Sequence, residues 1–398
     1  MKKIVLRSLA ASTIALSGAA VAQDMDKKIT TGGNFQLNMN TSDSSRSEAP
    51  DFAIDKARVK TKVAGGIASG EVEVDFQNGS TFSLRRAQLN LDVLTLKSGS
   101  NTFTTTLSMG GIRIGGADLT AADITWAPQA YGRQDGAYLK ETLAIGKMAD
   151  IDFGVGLFNN ITTYFVDSAA KGINDASNIT KGKGKSLGLA AHVAATVNVD
   201  DNQSIGAKFY YGSQEKAITY TANAGKARDV SHMEASLVYN HASIFGNKGV
   251  LSTNGVSFWY EVDDAKGEMT ATKTATDSNY TYGTANNDTL KSTLMGFGIA
   301  GDTGSYLTGM LQKGDRLTYA VSYAMNKLTD GDTTTDLNYD KKQMAFSVGY
   351  AVSSFELAFN FEHVKNNNAI FSDKGKSTNA SERKDSMMRS YLTMAYQF

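Results

Sequence analysis

Two rows of alternating charge stand close together early in the chain: Lys56, Arg58, Lys60 and Lys62, then Glu71, Glu73 and Asp75. A spacing of two puts each row on one face of an extended strand. A turn between them would set the rows side by side in an antiparallel pair. Opposite charges so placed can neutralise one another as a cross-strand ion-pair network. Where they face water they can instead form a charged wall that sorts ions and solutes. The residues alone leave both uses open. Arg86 and Lys140 fall on the matching parity of later runs and extend the basic set.

The other chemically suggestive groups dissolve on inspection. Gly296-Phe297-Gly298-Ile299-Ala300-Gly301 spells the dinucleotide fingerprint, but no helical pattern follows it, so no cofactor is expected. His192, His232, His241 and His363 stand alone in sequence, without metal-ligand spacing or a nucleophile partner, and no metal site is expected. Lys181, Lys183 and Lys185 form a basic knot, a solvated face or a contact for lipopolysaccharide phosphates. Asp330, Asp332, Asp336 and Asp340 lack calcium-loop spacing.

The elements that carry these residues read as strands almost throughout. Leu187, Leu189, Ala191, Val193, Ala195, Val197 and Val199 alternate with Ser186, Gly188, His192, Thr196 and Asn198. Phe355, Leu357, Phe359 and Phe361 alternate likewise with Glu356, Ala358, Asn360 and Glu362. A helix would scatter these apolar residues around its surface, whereas a strand gathers them on one side. Such runs fall near 29–39, 52–64, 70–77, 82–94, 101–109, 137–147, 151–159, 185–199, 203–212, 229–240, 252–262, 290–300, 315–326, 342–352, 354–364 and 386–398. Connections between them alternate between tight, as at 200–202 and 353–354, and long and polar, as at 160–184, 263–289, 327–341 and 365–385. Two places fit badly. Residues 301–314 are too long for a tight turn and predict a small helix or a further pair of strands. Glu141 falls on the apolar face of its run, which a bulge or an oligomer contact would have to explain.

Composition limits the class further. Two prolines in 398 residues is far below the usual share of about 5 %, as expected of long ladders that proline cannot join. Cysteine is absent, so no disulfide framework exists. Residues 1–22 combine Lys2, Lys3 and Arg7, an apolar run from Leu9 to Leu16 and the small-residue sequence Ala20-Val21-Ala22. That is the pattern of a cleaved secretory signal peptide, leaving 23–398 as a single domain. Three of the 40 basic residues leave with it and none of the 40 acidic ones, so the remaining chain is slightly acidic and no nucleic-acid partner is expected. A soluble all-β protein would have strands of about 5–6 residues. These runs mostly approach the 9–11 or so residues that a tilted strand needs to cross a bilayer. Tyr210, Tyr211, Trp259, Tyr260, Tyr319, Tyr323, Tyr350 and Tyr396 stand where interfacial girdles would lie. The expected fold is an all-β transmembrane antiparallel up-and-down barrel of about sixteen strands. In it the charged rows must face the interior, since Arg or Lys against mid-bilayer lipid costs about 2–4 kcal/mol each.

The last run places Met388, Ser390, Leu392, Met394, Tyr396 and Phe398 on one face and ends on an aromatic residue. This resembles the C-terminal signature of bacterial outer-membrane proteins, which implies that Tyr396 and Phe398 are read by the barrel-insertion machinery. With sixteen strands and a 27-residue connection at 110–136 after the fifth, the chain resembles the Gram-negative porin superfamily over nearly its whole length. The resemblance implies a homotrimer in outer-membrane lipid and lipopolysaccharide, and an inward-folded loop at 110–136 whose Asp118 and Asp123 face the basic wall. Arg113 and Arg133 among these acids depart from the family's loop pattern.

The function expected on these grounds is a water-filled channel for passive diffusion of ions and small hydrophilic solutes. Arg58, Lys60, Lys62, Glu71, Glu73, Asp75, Arg86, Asp118, Asp123 and Lys140 would line it. A structural or adhesive barrel is the alternative, and a barrel enzyme a weaker one, since no Ser/His/Asp grouping is evident. Eight or ten strands would fill with side chains, whereas sixteen leave a channel.

Overall fold

In the computed structural model the residues described are 28–43, 52–77, 81–114, 133–159, 161, 179–180, 187–220, 227–246, 254–268, 287–303, 315–330, 339–366 and 386–397. The strands are β1 (Lys28–Asp43), β2 (Phe52–Gly65), β3 (Ala68–Gln77), β4 (Thr81–Ser98), β5 (Asn101–Arg113), β6 (Arg133–Ile145), β7 (Ala149–Phe158), β8 (Ile179–Thr180) and β9 (Gly188–Asn198). They continue with β10 (Gln203–Tyr220), β11 (Ala227–His241), β12 (Gly255–Glu268), β13 (Asn287–Asp302), β14 (Asp315–Asp330), β15 (Tyr339–Val352), β16 (Phe355–Asn366) and β17 (Ser386–Gln397). A single turn of helix, α1 (Ala242–Phe245), follows β11. Each strand except β8 pairs antiparallel with its neighbours, β7 pairs with β9, and β1 pairs with β17. The result is a closed barrel of sixteen strands, with β8 as a two-residue addition on the end of β10.

Closure follows from patterning. Leu189, Val193 and Val197 on β9, and Phe355, Leu357 and Phe359 on β16, all point outward and are exposed. Their alternating neighbours point inward and are small or polar, such as Ala190, Ala358 and Asn360. An apolar outside over a polar inside is what a membrane barrel requires. No helix among the described residues is long and apolar enough to cross a membrane. Tight connections at 66–67, 99–100, 146–148 and 353–354 gather at one end of the barrel. Gly66, Gly99 and Gly146 take positive φ there, and Ser353 does so at φ 55, in the left-handed region that glycine enters without steric cost.

Three register shifts keep the faces consistent. Glu73 pairs with Arg86 while Val74 pairs with Leu84, so Arg85 is an extra residue in β4. It lets Leu84 face outward and Arg86 inward although both are even-numbered. Val93 plays the same part between Asp92 and Leu94, and the register of β2 on β1 shifts by one residue at Asp55.

The sixteen expected strands are all present, with several corrections. The fifth and sixth strands run on past their expected ends, Gly110 pairing with Gly136 and Arg113 with Arg133, so 110–113 and 133–136 are ladder rather than loop. Only Ile114 of the shortened connection lies among the described residues. Of the stretch 301–314, expected to hold a small helix or extra strands, 301–302 end β13 and 304–314 lie outside the described residues, as do residues 1–22 and Phe398. Glu141 does lie on the outer face, but β6 shows no register shift, so no bulge accounts for it. Thr105 donates a hydrogen bond to its carboxylate at 2.6 Å. Tyr210 and Trp259 are not girdle residues, because each is the inward member of an adjacent aromatic pair whose partner, Tyr211 or Tyr260, takes the outer face.

Candidate functional site

The two charged rows of β2 and β3 meet as their spacing predicts. The register sets Arg58 opposite Asp75, Lys60 opposite Glu73 and Lys62 opposite Glu71, with Arg86 beyond Glu73 on β4. Arg58 forks onto Asp75 through Nε at 2.7 Å and its terminal nitrogen at 3.3 Å, and its Nε lies 2.9 Å from Glu73. Glu71 gathers three cations: Arg86 at 2.5 Å, Lys60 at 2.9 Å and Lys62 at 3.6 Å. The ladder is therefore an ion-pair network on the inner wall. Its members are unequally wet: the Arg58 side chain is 16 % exposed and that of Lys62 is 57 %.

Lys140 does not extend this network. It lies on β6, 3.8 Å from Asp152 of β7, which also accepts a hydrogen bond from Thr142 at 2.6 Å. Tyr138 beside it is hydrogen-bonded to His192. Asp118 and Asp123 lie outside the described residues. Asp135, which the longer loop would have included, is an exposed residue of β6. Tyr396 is outward and exposed, opposite Phe35 and Phe355.

A second charged cluster, missed by the sequence reading, stands half-way round the strand order from the ladder. His232 of β11 faces Asp263 of β12, and Glu234 faces Glu261. All four are buried. His232 Nδ1 lies 2.6 Å from an Asp263 oxygen, and its Nε2 lies 3.8 Å from Glu234. The expectation of isolated histidines is thus wrong for His232 and for His192. Their partners come from neighbouring strands, which spacing along one strand does not report. The signal that was available is the pair His232-x-Glu234 and Glu261-x-Asp263 on consecutive strands. The expected end of the run 252–262 left Asp263 in a loop, whereas β12 continues to Glu268.

Between the two clusters the inner wall is packed. After β7 the chain turns inward at Asn159, where Gln214 donates to its carbonyl at 3.0 Å and accepts from the Ile161 amide at 2.8 Å. Ile161 then rests on Gly188 and Gly212, where any Cβ would meet its side chain. Gln134 donates to the Tyr210 hydroxyl at 3.0 Å beside it, and Phe158 and Ile112 are buried in the same sector. This sector narrows the interior. On β16 and β17, Arg389 reaches Glu362 at 2.8 Å and lies over the Tyr391 ring at 4.7 Å. A depression of about 600 Å³ lined by Leu237, Phe258, Tyr260, Met295 and Phe297 belongs to the outer apolar band, not the interior.

No protein-family model matches the chain, and no curated protein matches it in sequence. Its structure is similar to that of an anion-selective porin from Comamonas acidovorans, at 13 % identity and a TM-score of 0.51, over 94 % of this chain and 100 % of that one. It is also similar to OmpT, an outer membrane protein of Vibrio cholerae in its trimer form, at 10 % identity and a TM-score of 0.50, over 94 % and 99 %. A closed sixteen-strand barrel with an apolar exterior and a charged interior, superposing on such proteins along nearly its whole length, has the porin-type fold.

Proposed function

We propose that the protein is an outer-membrane porin, a water-filled channel for passive diffusion of ions and small hydrophilic solutes, with no enzymatic activity. The observation that carries this reading is the inversion of the barrel, whose ion-paired side chains, Arg58 with Asp75 and Arg389 with Glu362 among them, face inward while its exposed apolar side chains face outward. Sixteen strands enclose more space than side chains alone fill. Residues 1–22 direct export and are removed, and Tyr396 with Phe398 serves insertion into a membrane of lipid and lipopolysaccharide. The homotrimer is supported by the trimeric form of the Vibrio cholerae neighbour. Solutes are sorted by charge at the wet end of the ladder, Lys60 and Lys62, with Asp118 and Asp123 of the 114–132 connection as the opposing group. Purified protein added to a planar bilayer should give stepwise, ohmic conductance increments. Folded, membrane-inserted protein that gives none would overturn the channel and favour the structural or adhesive barrel.

A further inference from the structure

The cluster on β11 and β12 is an unusual thing to bury. His232, Glu234, Glu261 and Asp263 are 1, 2, 2 and 0 % exposed, yet three of the four are carboxyl groups. Elsewhere on the inner wall the acids of the ladder and Glu362 are held by guanidinium or ammonium groups, and Glu356 accepts from the Thr318 hydroxyl at 2.6 Å. The groups facing the cluster are Tyr210 and Gly212 from β10, and Leu294 and Ser292 from β13. Lys208 of β10 stands one inward position away, opposite Ser236, within diagonal reach of Glu234 rather than of Glu261 or Asp263. The Glu261 Oε2 atom is fully buried and has no hydrogen-bond partner. A carboxylate oxygen of Glu261 shares one small space with its neighbours: ligand atoms of His232, Glu261 and Asp263 all lie within 4.8 Å of one another. A buried carboxylate oxygen left without a donor is unfavourable, and a cation bound by the cluster would remove the penalty.

We propose that His232, Glu261 and Asp263 form a binding site for a first-row divalent cation in the inner wall of the barrel, with Zn²⁺ the best-matched ion. One imidazole nitrogen with two carboxylate oxygens is a donor set that Zn²⁺ accepts, whereas Ca²⁺ and Mg²⁺ prefer oxygen throughout. Glu234, 3.8 Å from the imidazole, is placed to supply a fourth oxygen or to fix the ring. Antiparallel pairing holds the three ligands on two adjacent strands, so the site is rigid before the ion arrives. It does not depend on conduction, and its test reads the same whether or not the barrel is a channel.

The test is calorimetric titration of Zn²⁺ into the full-length, metal-stripped barrel in detergent. One Zn²⁺ should bind per chain, and a hundredfold or so excess of Ca²⁺ should not displace it. His232→Gln and Asp263→Asn should each weaken binding at least about tenfold, while His192→Gln, His241→Gln and His363→Gln should leave it unchanged. Where a ligand variant fails to fold, X-ray absorption at the zinc edge of the wild-type complex decides, a shell of one nitrogen with two or more oxygens being the expected result. No binding by the intact barrel, binding that survives both ligand substitutions, displacement by Ca²⁺, or a shell of several nitrogens would overturn the site.

Discussion

The ladder on β2–β4 and the cluster on β11–β12 are built by the same rule and reach opposite electrostatic outcomes. In each, charged residues two apart line the inner face of a strand and meet a second such row across an antiparallel register. On β2–β4 the facing rows differ in sign, and every acid finds a base within 3.6 Å or less. On β11–β12 the row Glu261 and Asp263 meets His232 and Glu234, so one histidine stands among three acids. Period-two spacing thus decides only where a charge points. Whether the charge is balanced depends on which row the register puts opposite.

The contrast predicts that removing one charge has opposite effects in the two places. Arg58→Met should be the most damaging, since it leaves Asp75 and Glu73 side by side on β3 with little water. Breaking a buried pair costs about 3–5 kcal/mol, and replacing both acids with Leu in the same chain should recover most of it. The urea midpoint of barrel unfolding in lipid vesicles measures this, and an unmoved midpoint for Arg58→Met would mean that solvent already screens the ladder. Glu261→Gln, in the presence of a chelator, should instead raise the midpoint, by about 1–3 kcal/mol, because a buried oxygen without a donor is replaced by an amide that can donate. With excess Zn²⁺ present the sign should reverse. A fall in both conditions would show that the cluster is balanced as it stands. Lys62→Gln should move stability least, within about 0.5 kcal/mol, because its side chain is mostly in water. Its effect belongs to the current: under a salt gradient the zero-current potential should shift toward cations, more at 0.01 M salt, where the Debye length is about 30 Å, than at 1 M, where it is about 3 Å. An unchanged potential at low salt would remove Lys62 from the filter.

Much of this was legible in the sequence because alternation survives without knowledge of partners. The strand set and the inward direction of Arg58, Lys60, Lys62 and Arg86 follow from parity alone. The bulge at Arg85 was not visible, yet it leaves Arg86 on the face that parity assigned. What parity hides is neighbourhood. Asp152 beside Lys140 and Asp263 beside His232 are placed by the register between strands, and ending β12 at 262 instead of Glu268 hid the second pair. The inward turn at Ile161 was equally hidden, because its signals, Gly188 and Gly212, look like any other glycines of a strand.

The seam between β1 and β17 has a consequence in time. Asn34 lies opposite Gln397 in register, so the first and last strands meet only after nearly the whole chain has been made. Until then both are open edges with unpaired backbone groups, the state most prone to pair with another chain. The entropy of closing a loop that long must be met before the seam gives anything back. A chain interrupted anywhere before Ser386 therefore does not become a smaller barrel; it remains a sheet with two sticky edges, a substrate for aggregation and proteolysis.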